Sequence, residues 1–210
     1  MRRAWQVLPL SRESLEKIFG QLLAAIELCS AARLGVPALI LLYSAIDIAS
    51  WLDSEKRSVQ ARFMEWVDKY LLPGSSLKCT ALDLYGARCG LVHSYSADSN
   101  LIKSGKVTRI GYAWKPSTAV GLEQLIKANL DLSTLAGSEG DYFIAVQVED
   151  LIESLRKGIQ VFLGDLEGNS SRAEAAYAKT AGVLTDLSAE RASDLLERAQ
   201  QILTYDRKRI

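Results

Sequence analysis

The chain has 210 residues, of which 49 % are apolar, so it can bury a sizeable core as one domain or one domain with an appendage. Its 25 lysines and arginines balance its 25 aspartates and glutamates, and the sequence pI is about 6.6. This balance excludes a globally basic protein that binds nucleic acid or an anionic membrane through its net charge. Any RNA would have to be bound by a local basic patch.

Helical periodicity dominates the first part of the chain. Apolar residues at helical spacing predict helices over residues 11–32, 37–52, 54–72 and 80–93. The run Pro73-Gly74-Ser75-Ser76 predicts a turn before the last of them, and Thr80 is its predicted N-cap. Helices joined by such short connections predict a mainly α, up-and-down helical bundle.

The residues after the fourth helix predict a small β insertion at about residues 101–148. Residues 107–114 and 142–148 alternate like strands, and residues 119–135 between them have helical spacing. We expect the two strands to pair antiparallel as a small sheet laid against the bundle. Residues 150–166 predict a further helix, so we expect a helical domain over residues 1–166 and a helical C-terminal appendage over residues 167–210.

Cysteine usage and hydropathy predict the cellular compartment. Three cysteines, Cys29, Cys79 and Cys89, form no C-x-x-C pair. An odd count without a secretory leader is typical of the reducing cytoplasm, where we expect this protein. The most apolar stretch, residues 37–52, is too short to span a bilayer and contains Asp47, so it predicts a buried core helix and no membrane association.

One stretch stands out at the end of the fourth helix, Y-G-A-R-C-G-L-V-H-S-Y at residues 85–95. It contains Arg88, the only histidine of the chain, His93, and Tyr95. Arg, four residues, His, one residue and Tyr resembles the motif of the HEPN superfamily, and of its HepT-type toxins in particular. The resemblance implies a HEPN-like helical bundle and a metal-independent endoribonuclease without cofactor, whose Arg and His form the active site across a homodimer interface.

The residue types of this motif suit RNA cleavage without a metal. A neutral imidazole can accept the proton of the ribose 2′-hydroxyl, and a guanidinium can stabilise the charge that develops on the phosphate. Five helical steps separate Arg88 and His93 by about 140°, so they do not converge on one helix face. Either the helix ends before His93, or motifs from two chains supply one site. The structural alternative is that His93 caps the helix C-terminus and Arg88 pairs with Asp47 or Asp83.

Asp47 interrupts an otherwise apolar helix. It recurs with Ser44 and Ser50 every three residues, so it lies either on a narrow solvent-facing stripe or towards a partner, for which Arg88 is the candidate. A buried carboxylate should be paired, because an isolated buried charge is costly.

Basic residues follow the motif, and no acidic residue lies between Asp98 and Glu123. The cations are Lys103, Lys106, Arg109 and Lys115. Together with Tyr112 and Trp114 they predict a track for an RNA backbone. The alternative is that the aromatic rings pack on the bundle and the cations are ordinary exposed charges of a strand.

The predicted function is therefore a HEPN-type endoribonuclease, a toxin or defence component, with RNA as substrate. In HepT-like toxins the tyrosine corresponding to Tyr95 is modified by a nucleotidyltransferase-type antitoxin, so the resemblance allows such a partner; otherwise Tyr95 packs under the following loop. The alternative function is a catalytically inactive helical dimerisation or interaction module. Cys89 favours that alternative, because many active members carry a polar residue there. A Cys89–His93 thiol hydrolase lacks a recognisable oxyanion-hole loop, and a zinc site lacks a ligand set.

Overall fold

The computed structural model describes residues 12–56, 58–94, 101, 104–129 and 143–180. Its helices are α1 (Arg12–Ala31), α2 (Gly35–Asp53), α3 (Val59–Trp66), α4 (Ala81–Ser94), α5 (Ala119–Asn129), α6 (Val148–Glu167) and α7 (Ser170–Thr180). A π-helical turn, Val67–Leu71, continues α3, and the strands are β1 (Arg109–Ala113) and β2 (Phe143–Gln147). The predicted mainly α class and the four N-terminal helices are confirmed.

Helix α2 is the centre of the core. It packs against α1, α3, α4, α6 and α7. Leu42, Tyr43 and Ile46 on it have no exposed surface, and its buried residues cover about half of its circumference. Within the described part of the chain it is also the one helix long and apolar enough to cross a bilayer, and half of its apolar window is buried inside the protein.

A capping box starts α4 and also fixes the segment before β1. The Asp83 backbone N–H donates to Thr80 Oγ1 at 3.1 Å, and the Thr80 backbone N–H donates to Asp83 Oδ2 at 2.9 Å. The predicted N-cap is therefore present. The second oxygen, Asp83 Oδ1, accepts the backbone N–H of Thr108 at 2.8 Å. Next to it Val107 packs so closely on Gly86 that a Cβ there would lie 2.7 Å from Val107 Cγ2.

The predicted antiparallel pairing of the two strands is wrong. Strand β1 pairs with β2 in parallel, with Arg109 opposite Phe143 and Ala113 opposite Gln147. The reason is the helix between them: α5 lies in the connection and packs on both strands, and such a crossover lets the chain return in the same direction. The helical spacing within residues 119–135 is the sequence feature that indicates this crossover helix.

Helix α6 packs tightly on the π-helical turn. The rings of Trp66, Tyr70 and Phe162 contact one another with centroids 5.5–6.3 Å apart. The close approach is possible because α6 carries Gly158 at the crossing: a Cβ there would lie 2.9 Å from the Tyr70 carbonyl oxygen.

Helix α7, the described start of the predicted appendage, docks on the C-terminal end of α2. Arg172 forms an ion pair with Asp53 and donates to Tyr70 Oη at 2.9 Å. Lys179 Nζ donates to the carbonyl oxygens of Trp51, Leu52 and Ser54. A lysine in this position satisfies carbonyl groups that a helix end leaves without an intrahelical partner. The boundary at residue 167 stays a prediction.

Candidate active site

The centre of the candidate site is an ion pair between α2 and α4. Arg88 Nε and Nη2 both donate to Asp47 Oδ2, at 2.9 and 2.8 Å. The side chains of Arg88 and Asp47 are 14 % and 22 % exposed. The predicted pairing of Asp47 with Arg88 is thus present, and Asp47 does not lie on a solvent-facing stripe. Asp83, the other carboxylate considered for Arg88, is occupied by the capping box.

The Asp47 carboxylate further stabilises the charged form of Arg88. Burial by itself lowers the pKa of Arg88, but the hydrogen bond and the negative charge of Asp47 outweigh it, so the pKa is raised from its ordinary value. Only one carboxylate oxygen is used in this way. The other, Asp47 Oδ1, is buried and accepts no hydrogen bond within the described part of the chain.

Two further side chains of α4 complete the cluster. The Cys89 thiol interacts with both the Arg88 guanidinium and the Tyr85 hydroxyl. Burial raises the pKa of Tyr85, and its hydrogen bond with Cys89 raises it further. The Tyr85 ring meets the ring of Phe63 edge-on, with centroids 5.5 Å apart. In the sequence, Tyr85 stands out only as part of the apolar pattern of α4. Its spacing of three and four residues from Arg88 and Cys89 is the signal that could have placed it in this cluster.

Helix α4 continues past the histidine of the motif. It ends at Ser94, so positions 88 and 93 belong to one uninterrupted helix and are about 140° apart around its axis. Of the two explanations for that angular separation, a helix that ends before His93 is therefore excluded. Tyr95 and Lys103 lie outside the described residues.

The described cations of the predicted basic track differ in their exposure to solvent. Lys106 and Lys115 are exposed, and Arg109 is half-buried. Lys115 lies next to a carboxylate, that of Glu149. The Lys115 backbone N–H donates to Glu149 Oε1 at 3.2 Å, and the positive charge of the Lys115 side chain favours the ionised form of Glu149.

The two aromatic residues of this segment pack on the bundle, as the structural alternative predicted. Tyr112 Oη lies 2.5 Å from Tyr43 Oη, and burial raises the pKa of both phenols. The Trp114 ring covers Gly35, where a Cβ would lie 3.2 Å from the ring. These rings are therefore not arranged as a stacking surface for bases.

The cluster can orient a phosphate-binding guanidinium, but of its other described groups the Asp47 carboxylate is engaged by Arg88 and the pKa of the Tyr85 phenol is raised. A base for the ribose hydroxyl would have to come from position 93. No group of three or more His, Cys, Asp or Glu side chains in the described part of the chain is arranged to hold a metal ion. Comparisons with protein-family models, curated proteins and solved structures find no match to this chain, so the likeness to HEPN proteins rests on the motif residues.

Proposed function

We propose that the chain is a HEPN-type, metal-independent endoribonuclease of the cytoplasm, a toxin or defence component that acts as a homodimer. The observation that carries this proposal is the Asp47–Arg88 pair, because it fixes a half-buried guanidinium on the helix that also contains position 93. Since positions 88 and 93 diverge by about 140° on that helix, the complete site requires a second copy of the motif.

In the proposed reaction the ribose 2′-oxygen attacks the adjacent phosphorus. His93 accepts the proton of the 2′-hydroxyl, and Arg88 stabilises the negative charge on the phosphate oxygens. The bond from phosphorus to the 5′-oxygen breaks, that oxygen takes up a proton, and a 2′,3′-cyclic phosphate remains. The attacking group is already tethered next to the phosphate, so deprotonation and alignment suffice. Tyr95 would assist by orienting the phosphate or His93.

The basic segment is the proposed substrate contact. Asp83 and Gly86 hold the residues before β1 against α4. Lys106 and Arg109 flank these residues in the chain, so both lie close to α4. Phosphate contacts by lysine and arginine supply affinity that does not depend on sequence. Together with Lys103 and Lys115 these cations would bind the RNA backbone. A nucleotidyltransferase-type antitoxin that modifies Tyr95 is the proposed regulatory partner.

Cleavage of a generic RNA in EDTA, by wild type and His93→Ala, tests the proposal. We expect wild type to release 2′,3′-cyclic phosphate ends, to leave DNA and 2′-O-methyl RNA intact, and to lose cleavage completely in His93→Ala. Arg88→Lys should reduce cleavage severely, since an ammonium cannot hold two phosphate oxygens in a fixed fork. Arg33→Lys, at an exposed arginine in the α1–α2 turn, is the matched control and should be unchanged. A requirement for magnesium, or cleavage by His93→Ala, would contradict the mechanism.

The second candidate function is a dimerisation or interaction module without catalysis. The observation in its favour is that Arg88 already has a carboxylate partner, so the pair explains its burial without a substrate. Cys89 in place of a polar residue after Arg88 agrees with this function. Two results together would support the module. The protein would be a dimer that neither binds nor cuts RNA, and Asp47→Ala would unfold more easily than wild type.

A further inference from the structure

Helix α7 is held on the protein largely by polar contacts. It has 11 residues, a length at which an isolated helix is marginal in water. Of its described side chains Ala176 alone is buried, while Ala173 and Tyr177 pack partly buried against the core. The same face carries Arg172 and Lys179, which both bind the C-terminal end of α2. The helical state of α7 therefore depends on these two cations.

The Lys179 ammonium lies within a group of four oxygen atoms. The carbonyl oxygens of Trp51, Leu52 and Ser54 are 3.0, 3.3 and 2.9 Å from Nζ, and Glu55 Oε1 is 3.0 Å from it. An ammonium has three N–H donors, so four oxygens surround the charge and do not pair with it one to one. The Lys179 side chain is 17 % exposed and that of Glu55 81 %. The carbonyl groups therefore form the inner part of the site, and the carboxylate lies on its solvent side.

The oxygen set is produced by the way α2 ends. The Ser54 N–H still donates to the Ser50 carbonyl oxygen, at 3.2 Å, but the Ser54 backbone is extended. In a longer helix the Lys56 N–H would donate to the Leu52 carbonyl oxygen; here it donates to Ser54 Oγ at 3.1 Å. The helix dipole adds partial negative charge at this end. The oxygen set is thus a property of α2 and the turn after it, and it does not depend on α7.

The chemistry of these oxygens selects the class of ligand. Neutral carbonyl oxygens with a single carboxylate offer little charge to a divalent cation, which is bound by several carboxylates. A guanidinium spreads its charge over a planar fork and suits a carboxylate better. A primary ammonium carries a compact charge and three donors that can each reach a different oxygen. The end of α2 therefore suits a primary ammonium ion.

We infer that the C-terminal end of α2 is a binding site for a primary ammonium ion, and that Lys179 occupies it as a tethered, removable ligand. Helix α7 is then a strap, which opens when this ammonium leaves the site. Ser54 and Glu55 of the site also line a charged cleft of about 580 Å³, together with Arg172 of the strap. The cleft gives a free primary amine a route to the same oxygens. The strap does not depend on the proposed nuclease activity.

Hydrogen exchange of the α7 amides tests the strap. Lys179→Met keeps the aliphatic stem and removes the ammonium. The α7 amides should then exchange about ten- to a hundredfold faster, which is the effect of losing hydrogen bonds to a charged group, while the α6 amides stay unchanged. Lys157→Met is the matched control, at a lysine of α6 that is 67 % exposed, and should leave α7 as in wild type. Unchanged exchange of α7 in Lys179→Met, or faster exchange that extends over α6, would overturn the strap.

Chemical rescue tests the ammonium site itself. Lys179→Ala removes three carbons and the ammonium, and n-propylammonium supplies the same atoms as a free ion. Titrated to about 100 mM, above the millimolar effective concentration of a tethered group, it should slow hydrogen exchange of α7 again and should do so saturably. Tetramethylammonium chloride at equal concentration has the same charge without an N–H donor, so exchange should stay fast. No effect of n-propylammonium, or an equal effect of both salts, would refute the site.

Discussion

Two glycines of helix α6 provide a direct test of the packing described for this fold. Replacing glycine by alanine inside a helix stabilises it by about 0.5–1 kcal/mol, because the unfolded chain loses freedom. At Gly164 an added Cβ meets nothing within 4 Å, so Gly164→Ala should gain that amount. At Gly158 the Cβ would lie 2.9 Å from the Tyr70 carbonyl oxygen and 3.2 Å from the Trp66 ring.

The backbone of the π-helical turn cannot rotate away from the new methyl group as a flexible side chain could. Overpacking of this kind costs about 1–3 kcal/mol, which exceeds the gain in helix propensity. We therefore expect Gly158→Ala to lose about 1–2 kcal/mol, and the two variants to differ by about 2 kcal/mol or more in urea unfolding. Equal stability of the two variants, or a more stable Gly158→Ala, would refute the close approach of α6 to the turn.

Three further predictions concern ionisable groups. Asp83→Ala should lower the free energy of unfolding by about 2–3 kcal/mol, because the cap of α4 and the acceptor for the Thr108 N–H are both lost. A decrease of less than about 0.5 kcal/mol in urea unfolding would contradict this prediction. The hydrogen bond from the Lys69 ammonium lowers the pKa of Asp165, so Asp165→Asn should be less stable than wild type at pH 7. In an acid titration of stability, this difference should vanish as the pH falls through the lowered pKa of Asp165. Burial raises the pKa of Cys79 to about 11, so iodoacetamide at pH 8 should label it only after unfolding; mass spectrometry showing equal labelling of native and unfolded chains would exclude the buried thiol.

Several features were predictable from the sequence because they depend on neighbouring residues or on a charge that needs a partner. Helical periodicity located α1, α2 and α4 to within a few residues, and Thr80 as a predicted N-cap located the start of α4. Before any coordinates Arg88 could be named as the candidate partner of Asp47, beside the alternative of a solvent-facing stripe, because a carboxylate in an apolar helix has to find a cation when the helix is buried.

Other features depended on the arrangement of distant segments. The parallel pairing of β1 and β2 follows from the way α5 packs across both strands, and the alternation of residues within a strand is the same for either direction of pairing. Likewise, the edge-on packing of the Tyr85 ring on Phe63 depends on how α3 packs against α4. The sequence by itself determined the N-terminal helices and the N-cap of α4, whose causes are local, and it named Arg88 as the candidate partner of Asp47 because a buried charge needs an opposite charge. Only the tertiary structure decided strand direction and which side of α4 stays half-exposed, since both depend on how segments far apart in the chain pack together.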